Sequence, residues 1–130
     1  MQVYRQLSVF LENEPGTLAR VCNALAQAGI NIVAHSVSDS IDFAVFRCVV
    51  SDPVKSVHLL ESAGTFVLEE DVLGLTLDDT PGSLGRIAEK LAAAKINIHY
   101  AYGSAPAGGP GPALLILRSS DLQKTREILA

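Results

Sequence analysis

A chain of 130 residues that is 48% hydrophobic and 18% charged belongs to a folded protein, with room for one ordinary domain or two small ones. Its formal charge of −4 and the absence of any Lys/Arg cluster exclude the concentrated basic face that nucleic acid requires, and disfavour anionic membranes. No apolar run approaches the roughly 18 residues of a bilayer span, and residues 1–5 lead into no signal-peptide core, so a cytoplasmic location is expected.

Residues 4–11 are β-rich and read as a first strand. After Pro15-Gly16, the residues Leu18, Val21, Cys22 and Leu25 recur at helical spacing and mark a helix with one inward stripe, ending near Gly29. Ile30 begins a second strand running to about Asp39, and residues 43–50 make a third. Asp52-Pro53 then opens a second helix, because Asp52 can accept from free first-turn amides while Pro53 occupies a position whose N–H is not needed. Val54, Val57 and Leu60 are expected inward, and residues 65–68 form a fourth strand. The order βαββαβ is that of a ferredoxin-like split βαβ sandwich, an α+β fold.

The stretch Leu11-Glu12-Asn13-Glu14-Pro15-Gly16-Thr17-Leu18 recurs as Leu77-Asp78-Asp79-Thr80-Pro81-Gly82-Ser83-Leu84, 66 positions on. The offset holds without a gap to Ile32, with identities that include Arg20, Leu25, Ala26, Ala28, Ile30 and Asn31. The second half is therefore a strand over residues 72–77, a helix over 83–94 with Leu84, Ile87, Ala88 and Leu91 inward, and a strand from Ile96 to about Tyr102. Residues 103–112, rich in Gly and Pro, replace a hairpin turn and are expected to be a mobile surface loop or a lid. A strand over 113–118 and a helix over 121–129 complete the second unit, which lacks its last strand; another segment or another chain should fill that edge.

The paired Pro-Gly turns, the Ala-Gly-Ile-Asn-Ile and Ala-Lys-Ile-Asn-Ile junctions and Asp42-Phe43-Ala44 before the third strand together resemble the ACT domain, and most closely the small stand-alone tandem ACT proteins. The resemblance implies one ACT-like domain over residues 1–70 and another over 71–130, regulatory and without catalysis of their own. It further implies a free amino acid or related small molecule as ligand, held between the turn of one unit and the helix-to-strand junction of another. The positions carried over are Leu11, Asn13, Pro15, Gly16, Thr17, Leu18, Asn31 and Ile32, and in the second half Asp79, Pro81, Gly82, Ser83, Leu84, Asn97, Ile98 and His99. Leu11 and Leu77 stand where some serine-binding members carry a histidine.

Those residue types suit that ligand. Unpaired amides at a helix N-terminus attract a carboxylate, and Gly16 or Gly82 places no Cβ in its way. Asn13, Asn31 and Asn97 offer carbonyls to an ammonium, and Asp79 offers a charge. Asn or Asp before a helix can equally cap it, and Asn31 and Asn97 can equally satisfy backbone groups where helix meets strand.

Cys22 and Cys48 read as small core hydrophobes without metal-ligand spacing, and His35, His58 and His99 occupy unrelated repeat positions. Neither a cofactor nor a metal is expected. Glu12 and Glu14 stand where an acylphosphatase-like use of this sandwich would need an anion loop with Arg, and paired aromatics for RNA are lacking. The rival to ligand binding is a structural oligomerisation or partner-interaction module.

Residues 69–71 reach only roughly 14 Å, whereas two sheets joined through their second strands would leave a gap of roughly 29 Å. Either residues 66–77 form one nearly continuous strand shared by two sheets, or the side-by-side pairing occurs between chains as a homodimer; both are expected together. A metabolic enzyme is the further partner expected of a regulatory module.

Overall fold

The computed structural model describes residues 1–104 and 111–130. Along the chain run β1 (Gln2–Glu12), α1 (Thr17–Gln27), β2 (Ile32–Asp39), β3 (Phe43–Val50), α2 (Pro53–Ser62), β4 (Phe66–Asp78), α3 (Ser83–Ala93), β5 (Ile98–Ser104), β6 (Pro112–Ser119) and α4 (Leu122–Leu129). The strands are hydrogen-bonded in the order β2-β3-β1-β4-β6-β5 as one six-stranded sheet. The pairs β1–β3, β2–β3, β4–β6 and β5–β6 are antiparallel. The fold is thus α+β, with the βαββαβ unit and the βαββα repeat lacking its last strand that were expected from the sequence.

One compact unit comprises residues 5–70. Strand alternation sends Leu7, Val9 and Leu11 of β1 and Phe46, Cys48 and Val50 of β3 to one face, where Val21 and Leu25 of α1 and Leu60 of α2 close the core. Asp52 caps α2 by accepting from the Lys55 amide at 3.0 Å, with Pro53 in the first turn. Lys55 Nζ then donates to the Ala28 carbonyl at 2.9 Å, placing a cation on the negative end of α1.

The other unit comprises residues 1–4 and 71–130. Ile87 and Leu91 of α3 pack with Leu115 and Leu117 of β6 and Ile96, supported by Leu75, Leu77, Ile128 and Leu129. The capping recurs: Asp121 accepts from the Lys124 amide at 2.9 Å, and Lys124 Nζ reaches the Ala94 carbonyl at 3.4 Å. The first four residues lie with this unit, and Tyr4 packs so tightly over Gly74 of β4 that a Cβ at Gly74 would overlap its ring. The beginning of β1 therefore occupies the edge left by the missing strand.

β4 runs unbroken through 13 residues, which is how the short connection at residues 69–71 is satisfied. The hydrogen-bonded order is a single series of six strands, not two sheets that share a strand.

Three residues expected in the cores are not there: Leu18 is 38% exposed, Leu84 52% and Val54 78%. Each lies in the first turn of its helix. Gly103 and Ser104 belong to β5 and Pro112 opens β6. The remainder of the expected loop or lid, residues 105–110, lies outside the described residues.

Candidate functional site

The paired turns have one backbone solution. Gly16 sits at φ 88°, ψ −11° and Gly82 at φ 90°, ψ −6°. The Thr17 amide points back to the Glu14 carbonyl at 3.5 Å and that of Ser83 to the Thr80 carbonyl at 3.3 Å. These are type II turns, in which Pro presets the first central residue and the second must have positive φ, the conformation glycine adopts without steric cost. No side chain caps either helix. The first-turn amides of α1 and α3 thus lack the carboxylate that caps α2 and α4, which leaves partial positive charge for an anion.

The residues flanking the turns differ. The Asn13 side-chain amide donates to the Ser40 carbonyl at 3.3 Å, joining the turn to the tip of the β2–β3 hairpin. Thr17 is buried, its hydroxyl donating to the Glu12 carbonyl at 2.9 Å and in reach of that of Glu14 at 3.1 Å. In the second turn Ser83 is only half-buried, its hydroxyl paired with that of Thr80 at 2.9 Å. Asp79 is exposed and lines a cleft of about 350 Å³ with Leu77, Leu84, Tyr102, Ser104 and Leu114 among its walls. An anionic group over an apolar wall, beside uncapped amides, is an arrangement suited to a zwitterion with an apolar side chain.

Pro15, Pro81, Gly16 and Gly82 are exposed at the turns, while Leu11 is in the core. Asn31 and Asn97 are exposed at the other ends of α1 and α3. Their backbones pair with Ser51 and Ser120: the Asn31 amide donates to Ser51 Oγ at 2.9 Å, and that of Asn97 to Ser120 Oγ at 3.0 Å. Ile32 and Ile98 open β2 and β5 half-buried, and His99 is exposed. Each helix has 11 residues, about 16 Å at ~1.5 Å per residue. Within one unit, then, the turn and the Asn junction stand too far apart to hold the two ends of one amino acid.

Arg20 and Arg86, the same position in the two repeats, were not among the expected site residues, although their identity at the 66-residue offset was a readable signal. Arg86 Nη2 donates to Ser83 Oγ at 3.1 Å, and its other terminal nitrogen stands 3.0 Å from where a Gly82 Cβ would be, so its guanidinium lies over the turn. Beside it runs a cleft of about 270 Å³ lined by Asp78, Ser83, Arg86 and Lys90.

Neither thiol is activated as a thiolate. Burial pushes the Cys48 thiol up to about 12, with Cys22 beside it adding to the shift, and burial raises Cys22 as well. Among the described residues no cluster of His, Cys, Asp and Glu is arranged for a metal ion, and no helix is long and apolar enough to cross a membrane.

A family model described as an ACT domain pair matches residues 1–130. A crystal structure of a protein from Bacteroides thetaiotaomicron is similar at 35% identity and a TM-score of 0.91, over 98% of this chain and 86% of that one. The ligand-free regulatory subunit of aspartate kinase from Thermus thermophilus superposes with a TM-score of 0.71 at 15% identity, over 99% of this chain and 95% of that one. E. coli aspartokinase III, solved with lysine and aspartate, aligns over 98% of this chain and 31% of its own length, with a TM-score of 0.56 and 17% identity. A search of curated proteins finds no match.

Proposed function

The chain belongs to the ACT domain pair family, and from that premise we propose that it is a regulatory protein that binds a free amino acid and performs no catalysis of its own. The observation that carries this reading is the second turn: uncapped amides at the start of α3, with Asp79 and Leu84 lining the adjoining cleft of about 350 Å³. A ligand carboxylate meets the amides, its ammonium meets Asp79, and an apolar side chain rests on Leu77, Leu84 and Leu114. Asn97, Ile98 and His99 approach the ligand of a neighbouring copy rather than their own, since α3 separates them from the turn.

That requirement favours a homodimer. β2 ends the sheet, with Val33 and Val37 exposed along it, and an open apolar edge is a template for pairing with a second copy. Ligand that binds the paired and free forms with different affinity then shifts the equilibrium between them, which is the physical content of allosteric regulation. The similarity to regulatory subunits of aspartate kinase supports a metabolic enzyme as the partner being regulated. One observation favours a purely structural role for the first turn: Asn13 is engaged with Ser40, so that turn works as a hairpin anchor.

Calorimetry with an amino acid that binds, and with its deaminated analogue, tests the assignment. The analogue binds about tenfold more weakly to the native chain, and the two become comparable in Asp79→Asn. Equal affinities in both proteins would remove Asp79 from the site.

A further inference from the structure

A cleft in the unit of residues 5–70 takes in Leu11 and Glu12, which lead into the first turn, but none of residues 13–18. It lies between the end of β1, one side of α1 and the connection from α2 to β4, with a volume of about 490 Å³, inside the ~300–1,000 Å³ range of small-molecule sites. Val21, Leu60 and Phe66 supply its apolar lining, and Phe66 is held against Phe10 at a ring distance of 5.3 Å. Arg20 and Glu12 are its charged lining, and neither side chain is engaged in an ion pair or hydrogen bond among the described residues.

The repeat explains why Arg20 is available. Its counterpart Arg86 is tied down by Ser83 Oγ and folded over Gly82. The residue matching Ser83 is Thr17, whose hydroxyl is buried and turned to the carbonyls of Glu12 and Glu14. Arg20 therefore finds no hydroxyl on its own helix. The counterpart cleft is also smaller, at about 270 Å³, and places Lys90 where the first has Ala24.

We propose that the Arg20 cleft is a second binding site, for a free α-amino acid with a large apolar side chain. The guanidinium takes the carboxylate through two parallel N–H donors, Glu12 takes the ammonium, and the side chain lies between Leu60 and Phe66. The site is separate from the turns and does not depend on the reading given to them. A zwitterion satisfies both lining charges at once, which neither a simple carboxylate nor a simple amine does.

Titration of the full chain with L-phenylalanine, followed by amide NMR, tests this. Saturable shifts at Ala24, Gly64 and Thr65 are expected, with affinity falling about tenfold or more in Arg20→Met and by less in Arg20→Lys. Because Arg20 is exposed, the rest of both spectra should remain native. 3-Phenylpropionate and phenethylamine, each lacking one charge, should bind more weakly than the amino acid. Unmoved cleft amides, or an Arg20→Met titration that matches the native one, would overturn the proposal. Shifts confined to residues 82–85 would also overturn it while supporting the turn site, whereas shifts confined to the cleft would support it and count against the turn.

Discussion

The Asn13 side-chain amide donates to the Ser40 carbonyl at 3.3 Å, so in the first repeat the strand-to-helix turn and the β2–β3 hairpin are one piece. Asp79, at the same repeat position, cannot donate and instead lines an open cleft. Two turns with the same backbone thus differ in what their flanking side chains reach.

That difference separates stability from binding. Asn13→Ala removes an exposed hydrogen bond and should cost about 0.5–1 kcal/mol, with faster amide exchange at the hairpin tip and no loss of ligand affinity. Asp79→Asn should leave the melting temperature unchanged and weaken an amino-acid ligand about tenfold. Identical behaviour of the two variants in both assays would refute the distinction.

Lys95 is the one described residue other than glycine with positive φ, at 59°, and it stands where the first repeat has Gly29 at 74°. A side chain in this region costs roughly 1 kcal/mol or more, so Lys95→Gly should raise stability, offset in part by the larger chain entropy of glycine in the unfolded state. Denaturant unfolding should show a midpoint shift upward with an unchanged slope. A downward shift would mean that the lysine makes a contact worth more than the strain.

The close approach of Tyr4 to Gly74 predicts a coupled pair. Gly74→Ala should cost about 1–3 kcal/mol through overpacking, and much of that should return when Tyr4 is also truncated to Ala. Additive losses in the double-mutant cycle would show that the two residues do not constrain each other.

A pH dependence follows from Cys48, whose thiol is pushed from 9.0 up to about 12 chiefly by burial. The folded protein keeps the proton at a pH where the unfolded chain has lost it. This contribution is therefore fully present below pH 9.0 and is lost as the pH rises toward about 12. The slope attributable to this one group is at most about 1.4 kcal/mol per pH unit. Unfolding curves of the native protein and Cys48→Ala should diverge in slope across that window; parallel curves would contradict the assignment.

Much of this architecture was legible in the residue string because it is written twice. The offset between Pro15 and Pro81 carries both turns, both first helices and both Asn junctions, and the short reach of residues 69–71 called for the continuous β4. Helical spacing misplaced Leu18, Leu84 and Val54, because periodicity gives the direction of a side chain and not whether a partner lies opposite. The seating of the first four residues beside β4 depends on contacts such as that of Tyr4 with Gly74, far apart along the chain, which no local pattern encodes. Likewise Arg20 and Arg86 are the same letter at the same offset, and their difference comes from whether the neighbouring hydroxyl at Thr17 or Ser83 faces inward or outward.

The central claim, that this ACT domain pair binds an amino acid, is tested most directly by a thermal-shift panel of the twenty amino acids against the full chain. A ligand that binds only the folded state contributes about 2.7 kcal/mol at one hundred times its Kd, so at least one amino acid at millimolar concentration should raise the melting temperature by several degrees. No shift with any of the twenty would contradict the claim and leave a structural module in its place.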